Sequence, residues 1–394
     1  MENEIVIVAA KRTAVGSHGG SLVEFSPTDL GEIAARAALE QSMLDPQQVD
    51  HVIFGNVLQT GGQTTYMPRH IALRIGLPVT TPALGVGRMC DSGYQAIISG
   101  AHMLLLQEAE CVLAGGSESM SQGPFIAEGH RWGRKLGDCT LRDALVDMLT
   151  DGDAGMPMAM TAEELAVRYG ISREACDQLA LESQQKARDA IEQGRFRDEI
   201  VPVEVTRKGK TVIFDTDEQP KMDTTMEKLA SLKPVFKKDG VVTAGNASGI
   251  GDGAAALIVT TMQKAREYKV MPLARVVSWG ICGCDPKIMG IGVVDATKIA
   301  LQKAKMTLQD MELLEINEAF AAQYLAVEKE LGLNREKVNV NGGAIALAHP
   351  VGCTGAKITT TLLYELKRRK ARYGLTSACA GGGQGTAVIL ENLA

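Results

Sequence analysis

Short apolar strands that alternate with helices, at both ends of the chain, are the feature that most constrains the fold. The predicted strands are segments 4–9, 51–55, 110–115, 254–260, 274–279, 313–316, 337–340, 375–380 and 387–390. Helical spacing of apolar residues follows Ser26 and Pro27, which suit a helix start, and recurs over 92–106 and 353–369. This alternation predicts a layered α/β fold. The two ends are compatible with two copies of one unit, although no residue-level repeat is evident.

The middle of the chain, from about 121 to 246, is more polar and less regular, with a helical run over 161–193 and a basic stretch. We predict an inserted loop domain at 121–246. It lies between an N-terminal α/β half at 1–120, completed by about 247–270, and a C-terminal half at 271–394. The basic stretch is either a solvated face or a landing place for an anionic substrate. Its members are Arg207, Lys208, Lys210, Lys221, Lys228, Lys233, Lys237 and Lys238.

Composition excludes several classes of protein. The 394 residues are 45% hydrophobic and can fill more than one core, and a formal net charge of −6 gives no reason to expect a nucleic-acid partner. No apolar run is long enough to span a bilayer, so no membrane association is expected. Eight scattered cysteines, without a CxxC pair, predict reduced thiols and no metal site. Since no signal peptide or peroxisomal address is recognisable, we expect a cytoplasmic protein.

Cys90 is the first candidate catalytic residue. It lies in VGRMCDSGYQA (86–96), between an apolar stretch and a helix that is predicted to begin near Ser92. The positive end of a helix dipole favours a thiolate, and Gly93 lets another backbone come close. The competing interpretation of this segment alone is a buried structural cysteine.

Two glycine-rich segments near the carboxyl terminus carry further candidates. In NGGAIALAHPVGCTGA (341–356), small residues let His349 occupy a tightly packed turn, and Pro350 is expected to start a helix. The segment lacks the lysine and the spacing of a P-loop. In CAGGGQGTA (379–387), a strand ends at Cys379 and the glycines offer backbone N–H donors of the kind that form an oxyanion hole. The competing interpretation of the first segment is a histidine buried in the core, and that of the second is a tight chain reversal between two strands.

Asn317 begins the segment NEAFAAQ (317–323), which follows a predicted strand. We expect Asn317 to cap the next helix and Glu318 to lie in its first turn. Because capping alone explains Asn317, a catalytic role for it depends on the other three segments.

Together these segments resemble the thiolase family. A cysteine at a turn followed by SG, then NEAFA, GGAIAL-x-HP-x-G-x-x-G and C-x-GGG-x-G occur in this order at family-like spacing, and GGSESMS (115–121) and TAGNASGIGDGAAA (243–256) are also similar to thiolase segments. The resemblance covers nearly the whole chain. It implies the thiolase fold, with two similar βαβαβαββ halves in five α-β-α-β-α layers and an inserted loop domain that covers coenzyme A. It also implies a homodimer or homotetramer.

The resemblance implies an acyltransferase of the acetyl-CoA C-acyltransferase class, with a ping-pong mechanism. Cys90 would be the nucleophile that carries the acyl group, His349 would take its proton, and Cys379 would be the general acid/base at the α-carbon. Asn317 would hold a water in one oxyanion hole with His349. The backbone N–H groups of Cys90 and Gly381 would form the other. Coenzyme A thioesters would be substrates, and no cofactor is expected.

The resemblance also implies contacts with coenzyme A and the acyl group. Leu149 would lie beside the pantetheine, and Lys221 and its basic neighbours would contact the phosphates. For the methionines, packing in the core is an equally good explanation. The positions that match are Leu149, Met158, Lys221, Phe236, Ala244, Ser248, Met289 and Phe320.

Several neighbours of these residues depart from the usual family pattern. Asp91 stands where Gly or Ala is common, and a carboxylate beside Cys90 opposes thiolate formation unless solvent screens it. Gly87 replaces a common Asn. Pro157 replaces a His of many acetoacetyl-CoA thiolases, which predicts acceptance of longer chains. Ala348 replaces a frequent Gly, which we treat as a small change.

Three alternatives remain at this point. A ketoacyl synthase would use one cysteine with two histidines, which the Asn317 segment disfavours. A hydroxymethylglutaryl-CoA synthase would need a glutamate where Cys379 stands. A coenzyme A-binding protein with impaired catalysis is supported only by Gly87 and Asp91.

Overall fold

The computed structural model describes residues 4–207 and 209–394, so Lys208 of the basic stretch and the first three residues lie outside it. The strands are β1 Ile5–Thr13, β2 Gly16–Ser17, β3 His51–Gly55, β4 Ala83–Val86, β5 Cys111–Ser119, β6 Phe125–Ala127, β7 Leu141–Asp143, β8 Thr150–Asp151, β9 Met156–Pro157, β10 Ile200–Val201, β11 Val203–Arg207, β12 Lys210–Phe214, β13 Gly251–Thr261, β14 Ala274–Gly283, β15 Leu313–Ile316, β16 Tyr373–Ala380 and β17 Gln384–Asn392. The helices are α1 Pro27–Ser42, α2 Met67–Arg74, α3 Ser92–Leu105, α4 Ala144–Met148, α5 Met158–Tyr169, α6 Arg173–Glu192, α7 Met226–Ser231, α8 Met262–Glu267, α9 Gly292–Ala304, α10 Ala321–Leu331, α11 Ala344–Leu347 and α12 Thr354–Arg369.

Two similar halves share one strand order. The first half runs β4-β3-β5-β13-β1, and the second runs β15-β16-β17-β14, with Val338 adding a parallel bridge beside β15. In each half the last strand pairs antiparallel with the first strand and with the strand before it, and the outer strands are parallel. A short antiparallel contact between β1 and β14 joins the halves. The strand order therefore supplies the repeat that no residue pattern revealed, while the domain boundaries stay a prediction.

The helices and sheets form five layers. Helices α1 and α2 pack on the outer face of the first half, and α9 and α10 cover the second half. Helices α3 and α12 pack against each other between the two sheets. Their apolar side chains share one buried cluster with side chains of both sheets. This arrangement confirms the predicted α-β-α-β-α fold.

Most of the local predictions are confirmed, with some corrections. Ser26 caps α1 and Pro27 begins it. The predicted run over 161–193 is two helices, because Gly170 ends α5 in the left-handed conformation. The strand expected to end at Gly115 continues to Ser119, since both of its glycines keep their places in the ladder with β13. No helix in the described ranges, 4–207 and 209–394, combines the length and apolar character needed to cross a bilayer.

Glycines allow the two central helices to approach backbone to backbone. A Cβ on Gly93 would lie 2.5 Å from the backbone nitrogen of Ala356, and one on Gly355 would lie 2.4 Å from that of Tyr94. Gly116 serves the same purpose in β5, where a Cβ would lie 2.2 Å from the carbonyl oxygen of Gly352. Real Cβ atoms do not approach backbone this closely, so the amino ends of α3 and α12 meet only because these positions lack side chains.

We expect Gly93→Ala to lower the free energy of unfolding by about 1–3 kcal/mol, the usual cost of overpacking a tight core. Gly152→Ala is the matched control, since a Cβ there meets no atom within 4 Å, and its effect should stay within about 0.5 kcal/mol. Chemical denaturation of both variants measures the difference. Equal stabilities would contradict the close contact.

Candidate active site

Cys90 lies on a sharp turn between β4 and α3. Met89 adopts a left-handed backbone with φ of 46°. The hydroxyl of Ser92 donates to the Met89 carbonyl at 2.7 Å and accepts from the Arg88 N–H at 2.9 Å. The helix begins at Ser92, so the predicted place of the thiol beside a helix amino terminus is confirmed.

Asp91 is completely buried, so solvent does not screen it from Cys90. It occupies the cap position of α3, but its side chain makes no capping hydrogen bond. Neither carboxyl oxygen has a hydrogen-bond partner among the described residues. A negative charge on Asp91 would therefore act on Cys90 without screening by solvent.

His349 is buried on the loop between α11 and α12. Its backbone N–H donates to the Gly249 carbonyl at 2.9 Å, and its Nδ1 lies 2.5 Å from the Thr354 hydroxyl. That hydroxyl donates its single hydrogen to the Pro350 carbonyl at 2.9 Å, so it accepts from Nδ1–H. The hydrogen-bond chain therefore assigns the proton to Nδ1 and leaves the lone pair on Nε2.

Two details of this loop differ from the sequence predictions. Pro350 does not begin a helix, because α12 begins at Thr354 and the Pro350 carbonyl accepts from the backbone N–H groups of Cys353 and Thr354. Ala348 is not a small change. Its φ of 61° lies in the region that favours glycine, and the buried Lys357 ammonium donates to the Leu347 and Ala348 carbonyls, both at 3.2 Å.

Asn317 does not cap a helix, which corrects the prediction. Helix α10 begins at Ala321 with Phe320 at its cap position. The Asn317 amide nitrogen lies 3.4 Å from His349 Nε2, and its buried oxygen has no hydrogen-bond partner among the described residues. Glu318 is also not in a helix. Its carboxylate accepts from the Ser183 hydroxyl and the Asn339 amide and fixes the segment to α6.

Cys379 is buried near the end of β16, and a tight reversal at 381–383 leads into β17. Gly382 and Gly383 adopt positive φ values of 81° and 78°, as expected of a glycine turn. The Gly381 backbone N–H points at the Cys90 sulfur and favours its thiolate. Cys90 and Cys379 lie close enough for a charge on Cys90 to raise the pKa of Cys379. The two thiols and the glycine turn therefore form one site.

Burial keeps the three reactive groups neutral. It raises the pKa of the Cys90 thiol to about 12, with a further contribution from Asp91. It raises the pKa of Cys379 well above the usual thiol value. Burial and the nearby Lys357 ammonium lower the pKa of His349 to about 3. Burial thus outweighs the helix dipole that was expected to favour a Cys90 thiolate. At neutral pH the site holds two thiols and a neutral imidazole.

Two cavities divide the predicted binding residues, and one of them adjoins this site. One, of about 530 Å³, is lined by Met89, Met148, Met158 and Gly381. The other, of about 350 Å³, is lined by Lys221, Lys228, Leu229 and Ala244. Met158 therefore faces the nucleophile turn, whereas Lys221 and Ala244 come together at a separate opening.

The remaining predicted binding residues have more varied surroundings. Leu149 packs with Cys90 and Met148 on one apolar cluster. Met289 is buried in the same core as Met158, and Phe320 packs against that core beside Ala247. Ser248 is half-buried, and Phe236 is 49% exposed and lines neither cavity. For Met289 the core-packing interpretation fits best.

Comparison with known proteins decides the family. Residues 5–263 match the model for the thiolase N-terminal domain, and residues 270–392 match that for the thiolase C-terminal domain. The chain belongs to the thiolase family.

The similarity to individual thiolases extends over nearly the full length. The mitochondrial 3-ketoacyl-CoA thiolase of Homo sapiens is 52% identical, with 99% of this chain and 98% of the relative covered. An acetyl-CoA acetyltransferase of Pseudomonas aeruginosa is 50% identical, covering 98% of this chain and 99% of the relative. The crystal structure of the human mitochondrial enzyme in complex with CoA superposes with a TM-score of 0.96 at 51% identity, covering 99% and 98% of the two chains.

Three buried residues support this thiolase site but were not predicted from the sequence. Glu118 accepts from the backbone N–H groups of Leu58 and Gly352, which ties the loop after β3 to the His349 loop. Thr354 accepts from the imidazole Nδ1–H of His349, and the Lys357 ammonium donates to the backbone carbonyl of Ala348, the residue before the histidine. Glu118 lies in a recognised thiolase segment, GGSESMS, and this was its only signal in the sequence.

We expect Thr354→Val to lower kcat for thiolysis by about tenfold or more, because His349 Nδ1–H loses its acceptor and a buried donor without a partner costs about 1–3 kcal/mol. Thr354→Ser keeps the hydroxyl and should retain most of the activity. Steady-state kinetics of both variants over a pH series measures the effect. Equal loss of activity in both would show that Thr354 acts through packing instead.

Proposed function

We propose that this chain catalyses the reversible thiolase reaction between acetyl-CoA and an acyl-CoA. The observation that carries the proposal is the convergence of the Cys90 thiol, the Cys379 thiol and the Gly381 N–H. His349, on the loop before α12, and Asn317, directly after β15, form a hydrogen-bonded pair. The alternative of a catalytically impaired coenzyme A-binding protein has no support, because the relatives that match over nearly the full length are named thiolases and acetyl-CoA acetyltransferases. The activity is that of an acyltransferase and fits fatty acid metabolism.

In thiolysis, Cys90 Sγ attacks the 3-keto carbon of the substrate while its proton passes to His349. The neutral imidazole with an unprotonated Nε2 suits this step, because an unassisted thiol with a pKa of about 12 is a poor nucleophile at neutral pH. The bond between C2 and C3 then breaks. The acyl group stays on Cys90, and acetyl-CoA leaves as an enolate.

Cys379 protonates the departing enolate at its α-carbon. Its raised pKa keeps the thiol protonated until the enolate forms, which is the state that a general acid requires. The Cys379 thiolate then takes the proton of the incoming coenzyme A thiol, whose sulfur attacks the acyl group on Cys90. The new thioester forms as the bond to Cys90 Sγ breaks, and Cys90 regains its proton from His349. In the direction of synthesis the same groups act in reverse, with Cys379 as the base.

Two donor sets would stabilise the negative oxygens in these steps. The Gly381 N–H points at the Cys90 sulfur, which supports the proposal that it stabilises the tetrahedral thioester oxyanion together with the Cys90 N–H. His349 and Asn317 would stabilise the enolate oxygen. The unpaired, buried carbonyl oxygen of Asn317 supports its proposed role in holding a water there.

The cavity of about 350 Å³ is the proposed site for the nucleotide end of coenzyme A. Lys221 and Lys228 supply positive charge for phosphate groups, and Leu229, Leu232 and Ala244 supply apolar surface. Among the described residues of the basic stretch, Lys221 and Lys228 line this opening, and Lys228 also forms an ion pair with Asp223 there. Coenzyme A thioesters act as substrates, and the reaction as proposed uses no cofactor or metal.

The cavity of about 530 Å³ is the proposed site for the acyl chain. It begins at Met89, beside the nucleophile, and methionines at 148 and 158 line it with Leu58 and Ile126. Flexible apolar side chains of this kind adapt to chains of different length. We therefore propose that the enzyme cleaves longer 3-ketoacyl-CoA substrates as well as acetoacetyl-CoA, as Pro157 predicts.

A homodimer or homotetramer in the cytoplasm remains part of the proposal. The hairpin of β6 and β7 exposes Phe125 to 65%, Trp132 to 91% and Leu136 to 92%. Apolar side chains grouped in this way are typical of a contact surface, and a second copy of this chain is the proposed partner.

Several relatives carry the word mitochondrial in their names, so the compartment is a separate question from the chemistry.

We expect the wild-type protein to cleave acetoacetyl-CoA and a longer 3-ketoacyl-CoA in the presence of coenzyme A, and Cys90→Ala to lose essentially all activity with both. Thermal unfolding checks that the variant is folded. A folded wild-type protein that cleaves neither substrate at any pH from 6 to 9 would favour the impaired alternative.

We expect Met148→Trp to lower kcat/KM for an eight-carbon 3-ketoacyl-CoA about tenfold more than for acetoacetyl-CoA, because the indole would fill the acyl cavity. Val146→Trp is the matched control on the same helix, where the side chain is 58% exposed and lines no part of that cavity. The ratio of the two kcat/KM values measures selectivity. An unchanged ratio in Met148→Trp would place the acyl chain elsewhere.

A further inference from the structure

We propose that Asp91 is a positioning residue that sets the upper pH limit for acylation of Cys90. As a neutral carboxylic acid it permits the reaction, and as a carboxylate it suppresses formation of the neighbouring thiolate. This inference rests on the proposed function, since it assigns a role to the residue that follows the proposed nucleophile.

The surroundings of the Asp91 carboxyl group disfavour a charge. The residue is completely buried, and neither carboxyl oxygen has a hydrogen-bond partner among the described residues. The Thr386 hydroxyl on β17 lies near enough to favour the carboxylate, yet it makes no hydrogen bond of normal geometry with either oxygen. A buried carboxylate without partners is costly, and such groups bind a proton instead.

Titratable groups face Asp91 from every element packed around it. They are Arg88 and Cys90 on the turn before α3, Tyr94 on α3, Cys282 on β14 and Cys379 on β16. Arg88 is the cation of this set, and its guanidinium donates to Gln95 and Gln384, both at 2.9 Å. The positive charge of Arg88 is therefore already directed at two side-chain amide oxygens. The cysteines and Tyr94 are neutral at neutral pH, and if ionised they would repel a carboxylate.

The sign of the effect follows from these contacts. Burial raises the pKa of Asp91 well above the usual carboxyl value and so favours the neutral acid. As the pH rises and Asp91 loses its proton, a negative charge appears on the residue bonded to Cys90. That charge raises the pKa of the Cys90 thiol, and a shift of one unit is a tenfold change in thiolate population.

Alkylation of Cys90 by iodoacetamide tests this directly. Rates are measured from pH 6 to 10. Peptide mass spectrometry separates the Cys90 peptide from that of the exposed Cys139, which also reacts. Asp91→Asn has nearly the same shape and stays neutral throughout. We expect the ratio of its rate to the wild-type rate to be near one at pH 6 and to approach about tenfold at pH 10. The exposed Asp138→Asn is the control and should keep a ratio of one.

A ratio that stays at one over the whole series would overturn the proposal, because Asp91 would then have no effect on the thiol. A ratio that is high and constant would overturn it too, because Asp91 would then be ionised at every pH. If Asp91→Asn does not fold, Asp91→Gly removes the same charge and is held to the same criteria. Because alkylation does not need turnover, a protein without thiolase activity would refute the proposed function but not this effect.

Discussion

The contact between the amino ends of α3 and α12 is the constraint on which the rest of the active site depends. Gly93 and Gly355 let the two backbones meet without side chains between them, and Gly116 lets the His349 loop lie against β5. The two helices come from different halves of the chain. Their contact therefore brings the nucleophile turn of one half to the histidine loop of the other. A fold of two similar halves thereby forms one asymmetric site.

Burial then determines the protonation states of this site. Burial raises the pKa of the Cys90 and Cys379 thiols and lowers the pKa of the His349 imidazole, which favours the neutral form of each group. These pKa directions disfavour a preformed ion pair of thiolate and imidazolium. Proton transfer has to accompany nucleophilic attack, so the position of each hydrogen is decisive. Thr354 fixes one of them by accepting from Nδ1 of the histidine.

Buried charged residues fasten the loops that carry these groups. Arg12 on β1 forms ion pairs with Glu199 and Asp217, which lie in the middle part of the chain, and Glu199 also accepts from Thr361 on α12. Lys357 holds the backbone before His349, and Glu118 holds the backbone after it. Breaking one partner of such a buried pair is strongly destabilising, whereas the whole pair adds little to stability. These residues therefore fix the geometry of the site more than they raise the stability of the protein.

The sequence by itself determined most of the strands and helices, because periodicity acts over short ranges of chain. Its resemblance to the thiolase family, carried by the order of the motifs, implied the four candidate catalytic residues. Predictions from local patterns were wrong where a distant segment offers a side chain a different hydrogen-bond partner. Asn317 was expected to cap a helix, and instead it turns to His349. Only the tertiary structure decided that Asp91 is buried, that Ala348 adopts a left-handed backbone, and that Thr354 and Lys357 hold the histidine. Each of these depends on residues far away in the chain, whose approach creates the burial and the hydrogen bonds that no local pattern contains.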